Sequence, residues 1–242
     1  FKQKTAYEIP LRLVGSEMCI RDRYGTFLLV LAIVGTFIMT QSLGAPSYVT
    51  LLTVALAVSL VLLSNITIFS KVSGAHFNPA VSLMMYLRKN ISFQEFISYS
   101  LLQILGAISA VVFAHLTFDF GQTSISFVSR STNGILLSEF LATAGLLVAI
   151  IHSEKFFPER VPTVVASYIF AATFFTTSTC FANPAVTISR IFTDTGVGIN
   201  LESAMMFVLV ELLAVFILSL IHISEPTRSR GISYAVFCLK KK

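Results

Sequence analysis

The sequence predicts an all-α membrane protein with six transmembrane helices plus two re-entrant half-helices in an inverted repeat. Three observations point there. Of the 242 residues, 55% are hydrophobic and only 12% charged, and the mean hydropathy is +0.82. A soluble domain carries roughly 25% charged residues, so this chain lacks the polar groups to cover a water-facing surface. Asn-Pro-Ala occurs twice, as Asn78-Pro79-Ala80 and Asn183-Pro184-Ala185, each after an apolar run about long enough to cross a bilayer. The order of spans and tripeptides also reads twice along the chain.

The predicted spans are Tyr24–Thr40, Tyr48–Phe69, Phe93–Thr117, Ile135–Ile151, Val161–Thr179 and Ala204–Ile217. Between spans two and three, Ser73–Leu87 is apolar but too short to cross, which predicts a half-helix that dips in and returns. Phe181–Phe192 repeats the design after span five. In both, Asn caps the helix with its side-chain oxygen and Pro occupies the first helical position, where no backbone N–H is needed. The Asn amide nitrogen is left free to point elsewhere.

The halves match away from the tripeptides as well. Gly25–Val30 aligns with Ala142–Val148, and Phe96…Gln103…Gly106 has a counterpart in Phe207…Glu211…Ala214. Repeat one covers 24–118 and repeat two 134–217. Three crossings per repeat is an odd number, so the second repeat must be inverted, and the half-helices enter from opposite faces with their N-termini meeting near the midplane. Lys71, Arg88, Lys89, Lys155 and Arg160 lie on one face, and Arg130 and Arg190 on the other. This imbalance predicts that the first half-helix and the loop 152–160 are cytoplasmic. The sequons at Asn65 and Asn90 then carry no glycan.

Both ends resemble something other than protein design. Lys2–Ile9 and Ile232–Leu239 can be written as translations of opposite strands of one DNA stretch, as can Val14–Asp22 and Leu220–Thr227. They resemble translated sequencing-library adapters, and Lys240–Lys242 a translated poly-A run. Residues 1–23 and 218–242 are therefore expected to be adapter-derived, leaving 24–217 as the membrane domain. Cys180 is then the single cysteine, which excludes an intrachain disulfide, and no Cys/His spacing suits a metal or other cofactor. The net charge of +5 is scattered over loops and ends, which excludes a nucleic-acid surface. No nucleophile–base pair or phosphate loop supports an enzyme.

Ser73-Gly-Ala-His-Phe-Asn-Pro-Ala-Val81, the second Asn-Pro-Ala and the Gln103…Gly106 signature together resemble the aquaporin, or major intrinsic protein, family. The resemblance covers essentially all of 24–217. It implies a passive channel for small uncharged solutes, a homotetramer, and a multi-pass place in the cell (inner) membrane. A central constriction is implied at Asn78, Pro79, Ala80, Asn183, Pro184 and Ala185. There, both Asn amides would offer donors to a passing oxygen, while two half-helix dipoles repel cations.

A selectivity filter nearer the outside is implied at Val58, Ala171, Cys180 and Val186, counted without gaps from the tripeptides. Most family members carry Arg at the last position and water-selective members His at the second. Val186 and Ala171 imply a wide, apolar filter suited to glycerol, urea or arsenous acid as well as water. Asn183–Arg190 followed by Thr193-Asp-Thr195 resembles a bacterial subgroup associated with arsenic resistance. Glu139 is expected to hold the backbone of the second half-helix; its counterpart in span one would fall near Asp22, where a native Glu is expected to be lost. Glu211 needs a partner in the second re-entrant loop. His76 is expected to line the cytoplasmic mouth or to hold loop backbone, and His115 to lie at the membrane interface. Cys180 could narrow the pore or fill a core. Arg190 either faces the outer vestibule or pairs with Asp194. An ion-coupled secondary transporter with inverted repeats is the alternative, and it would need ion-coupling carboxylates at mid-depth.

Overall fold

The computed structural model describes residues 11–224. Residues 1–10 and 225–242, which hold Cys238 and much of the two suspect ends, lie outside the described residues, as do the side chains of Cys19 and Lys71. All regular elements among the described residues are helical: α1 (Leu11–Ser42), α2 (Ser47–Ser73), α3 (Pro79–Leu87), α4 (Phe93–Thr117), α5 (Asn133–Phe156), α6 (Val161–Phe175), α7 (Pro184–Ser189) and α8 (Leu201–Ser224). Single 3-10 turns sit at Pro158–Arg160 and Arg190–Phe192.

Five helices carry stretches long and apolar enough to cross a membrane: Ile20–Ser42, Ser47–Ser70, Phe93–Thr117, Asn133–Phe156 and Leu201–Ile221. The first and last run beyond the expected spans without a break at residues 24 or 217. Span five is shorter than its apolar composition suggests, because α6 stops at Phe175 after 15 residues. Thr176 turns extended (φ −111°, ψ 136°), and its hydroxyl bonds back to Ala172 O at 2.6 Å. The next turn is pinned to α5, with Thr177 Oγ1 at 3.1 Å and Ser178 N at 3.0 Å from Ser138 Oγ. Polar anchoring to a neighbour ends the helix, a signal that hydropathy does not carry.

Packing follows the repeat. α1 lies against α2 and α4, α5 against α6 and α8, and α2 meets α6 to join the halves; both short helices, α3 and α7, pack on α4 and α8. Small residues permit these close approaches. A Cβ on Gly25 would lie 2.1 Å from the Phe77 ring, and one on Gly106 would lie 2.4 Å from Arg23 O. The outward faces show leucines four apart, as in Leu52, Leu56 and Leu60 or Leu209 and Leu213, which suits contact with lipid tails or further copies. Asn65 is buried and donates its amide to Gly25 O at 3.2 Å, tying α2 to α1.

Candidate solute pore

Each half-helix begins as the tripeptide predicts. Asn78 sits at φ −156° and accepts from Ala80 N at 2.8 Å; Asn183 sits at φ −160° and accepts from Ala185 N at 3.0 Å. Pro79 and Pro184 fill the first helical positions. The amide nitrogens are less free than expected. Asn78 Nδ2 donates to Ala182 O at 2.6 Å, and Asn183 Nδ2 donates to Phe77 O at 2.8 Å. Each Asn thus spends one N–H on the carbonyl that precedes the other Asn, and keeps its second N–H available. The crossed pair fixes the two helix starts back to back.

The approach to each tripeptide is a run of left-handed backbone at non-glycine residues: Ala75 (50°) and Phe77 (50°) before the first, and Thr179 (62°), Cys180 (52°) and Ala182 (47°) before the second. Such conformations cost free energy and persist only where surroundings over-determine them. Buried carboxylates do this. Asp22, fully buried, accepts from Phe77 N at 3.1 and 3.2 Å and from Gln103 Nε2. Glu139, also fully buried, accepts from Phe181 N at 3.3 Å and from Ala182 N. The place in α1 that corresponds to Glu139 is held by Asp22, which makes the backbone bonds in this chain. Gln103 also donates to Ser82 Oγ at 3.1 Å. In the second half Glu211 Oε1 accepts from Asn183 N at 3.1 Å and Thr187 Oγ1 at 2.8 Å, so the second re-entrant loop supplies its partner.

A cavity of about 920 Å³ passes between these loops and the inner faces of α1, α2, α5 and α6. Ser70, His76, Glu154 and Pro158 line one end, and Gln41, Ser47, Arg130 and Arg190 the other. Between them lie Val58, Asn78, Cys180, Asn183 and Val186. Ala171 is not among the lining residues. It is exposed on the far side of α6, whereas Val165, Ile169 and Thr173 line the cavity at helical spacing. Counting without gaps from the tripeptide missed this because two residues are about 200° apart around a helix. Pro79, Ala80, Pro184 and Ala185 are buried in the helix starts and do not line the cavity either.

His76 faces the cavity end near Glu154, with Nδ1 at 3.1 Å from Ser82 Oγ and its ring 5.0 Å from that of Tyr99. His115, near the end of α4, is buried within the protein, with Nε2 at 2.9 Å from Thr193 Oγ1. Arg190 faces the cavity rather than pairing with Asp194. Its Nε donates to Val197 O and its guanidinium carbon lies 3.5 Å from the centre of the Phe181 ring. Asp194 Oδ1 instead accepts from Phe127 N at 3.1 Å. Arg130 joins Arg190 at the same mouth, its guanidinium 5.4 Å from the same ring, a role sequence reading assigned only to the loop. Burial holds both guanidiniums below the ordinary arginine value; for Arg190 the nearby charge of Arg130 adds to the effect. Arginine keeps its charge through such changes.

The model of the major intrinsic protein family matches residues 14–174. Aquaglyceroporin AqpS of Rhizobium meliloti is 40% identical over 215 residues, covering 88% of this chain and 92% of that protein. The chain belongs to the major intrinsic protein family. Aquaporin NIP3-1 of Arabidopsis thaliana is 32% identical over 143 residues, covering 55% of this chain and 44% of that protein. In fold, the chain is similar to the aquaglyceroporin from Plasmodium falciparum, with a TM-score of 0.64 over 86% of this chain and 93% of the other at 22% identity. Members of this family are channels and not enzymes, and this member is a multi-pass membrane protein forming a passive path for small uncharged solutes.

Proposed function

We propose that this major intrinsic protein passes small uncharged solutes larger than water, with glycerol, urea and arsenous acid as candidates. The observation that carries this is Val186, an apolar residue lining the cavity where most of the family carries Arg. A guanidinium there would narrow the path and add charge; a valine leaves it wide and apolar. The name of the Rhizobium relative, an aquaglyceroporin, supports the same direction. In this reading Val58, Thr173, Cys180 and Val186 form the filter, with Thr173 taking the place of Ala171.

The central constriction is formed by Asn78 and Asn183, each offering its remaining N–H to a solute oxygen, with Pro79, Ala80, Pro184 and Ala185 holding the helix starts. Uncharged solutes accept these bonds one after another, while cations meet the positive ends of α3 and α7. Glu139 is a support, His76 a mouth residue, and Arg190 the charge nearest the missing filter Arg. The repeats 24–118 and 134–217 each supply one loop. The balance of basic residues supports a cytoplasmic Glu154 end, with the chain in the inner membrane. The leucine-rich outer faces suit a homotetramer.

Stopped-flow swelling of proteoliposomes with each solute tests the proposal. Glycerol and arsenous acid are expected to enter well above the rate of empty liposomes. Water permeation with both solutes excluded would contradict it.

A further inference from the structure

The mouth opposite Glu154 holds two guanidiniums that Glu139 opposes only through space, with no ion pair to either among the described residues. Arg190 is 5% exposed, and its Nε is spent on Val197 O. Arg130 spends Nε on Gly198 O at 3.1 Å and Nη2 on Gly196 O at 2.8 Å. The carbonyls of one short turn thus orient both forks. Both Nη groups of Arg190 and Nη1 of Arg130 have no protein acceptor among the described residues. None of these nitrogens belongs to the buried polar atoms left dry, and both side chains line the cavity, so the free donors open on it.

Nor does a carboxylate come within 4.0 Å of either guanidinium among the described residues. The neighbouring acids are otherwise engaged: Asp194 by Phe127 N, and Glu139 by the amides of Phe181 and Ala182. Two like charges held over one aromatic ring, one of them almost wholly buried, repel each other and have lost much of their hydration. An anionic oxygen partner would offset both costs. Planar guanidinium forks match oxyanions with several oxygens better than a spherical halide.

We propose that Arg130 and Arg190 form a docking site for a small tetrahedral oxyanion at this mouth, and that its occupancy slows entry of uncharged solute. The block rests on the reading of the cavity as a solute pore, because the site lies on the rim just beyond Phe181, Cys180 and Val186. Inorganic phosphate is the probe. Glycerol swelling of proteoliposomes is measured with and without phosphate at constant ionic strength, and each variant is scored by the ratio of its own two rates. The native protein is expected to slow at least about threefold. The Arg130→Gln/Arg190→Gln ratio should return to one, and the Arg130→Lys/Arg190→Lys variant should keep a weaker response, since point charges bind phosphate without the fork. Isothermal titration of the detergent-solubilised native protein with phosphate separates the two readings. Phosphate binding without glycerol flux would overturn the pore reading and keep the site; glycerol flux with neither binding nor slowing would overturn the site.

Discussion

Asn183 and Val186 lie three residues apart and answer different questions. Asn183 divides its side chain between capping α7, bonding Phe77 O and leaving one N–H over. The capping was legible from the tripeptide. The crossed bond was not, because its acceptor is a backbone carbonyl more than a hundred residues away. Val186 was legible as a departure from the family pattern, while Ala171 was misplaced because filter counting ignores the phase of α6. Restoring a filter guanidinium by Val186→Arg is expected to lower glycerol swelling at least about tenfold while sparing water, as measured by paired osmotic assays; a tenfold loss corresponds to about 1.4 kcal/mol. Cys180 lines the cavity and forms no disulfide. Mercuric chloride is expected to block flux in the native protein and leave the Cys180→Ser variant open, which also separates Cys180 from the two other cysteines in the sequence.

At the scale of elements, the re-entrant loops are held in left-handed backbone by carboxylates reaching in from α1 and α5. Glu139 carries two buried amides of the second loop, those of Phe181 and Ala182. Glu139→Ala removes both acceptors, and an orphaned buried N–H costs about 1–3 kcal/mol. We expect this variant to unfold at lower temperature in detergent and to lose flux, whereas Glu139→Gln, which keeps one carbonyl acceptor, should lie between. The long spans and half-helix starts were readable because length, apolar runs and Asn-Pro record them directly. The early end of α6 was not readable, since it depends on Ser138 of a neighbouring helix. The place of Arg130 at the cavity mouth was not readable for a related reason: its partners are the carbonyls of Gly196 and Gly198, which no side-chain pattern announces.

For the whole molecule, the inverted repeat puts two equivalent loops at one depth and leaves a lined cavity between the halves. It also decides against coupled transport. Glu139 bonds loop amides and Glu211 Oε1 bonds Asn183 N and Thr187, and neither residue lines the cavity, so the mid-depth carboxylates expected of an ion-coupled carrier are not on the solute path. Among the described residues, the carboxylates that do line the cavity, Glu154 and Glu159, sit at its mouth and not at mid-depth. The most direct test is the initial rate of glycerol entry into proteoliposomes across a wide range of glycerol gradients, with and without sodium and proton gradients. A rate proportional to the glycerol gradient and indifferent to both ions is predicted. A rate that saturates and requires one of the ion gradients would contradict the account.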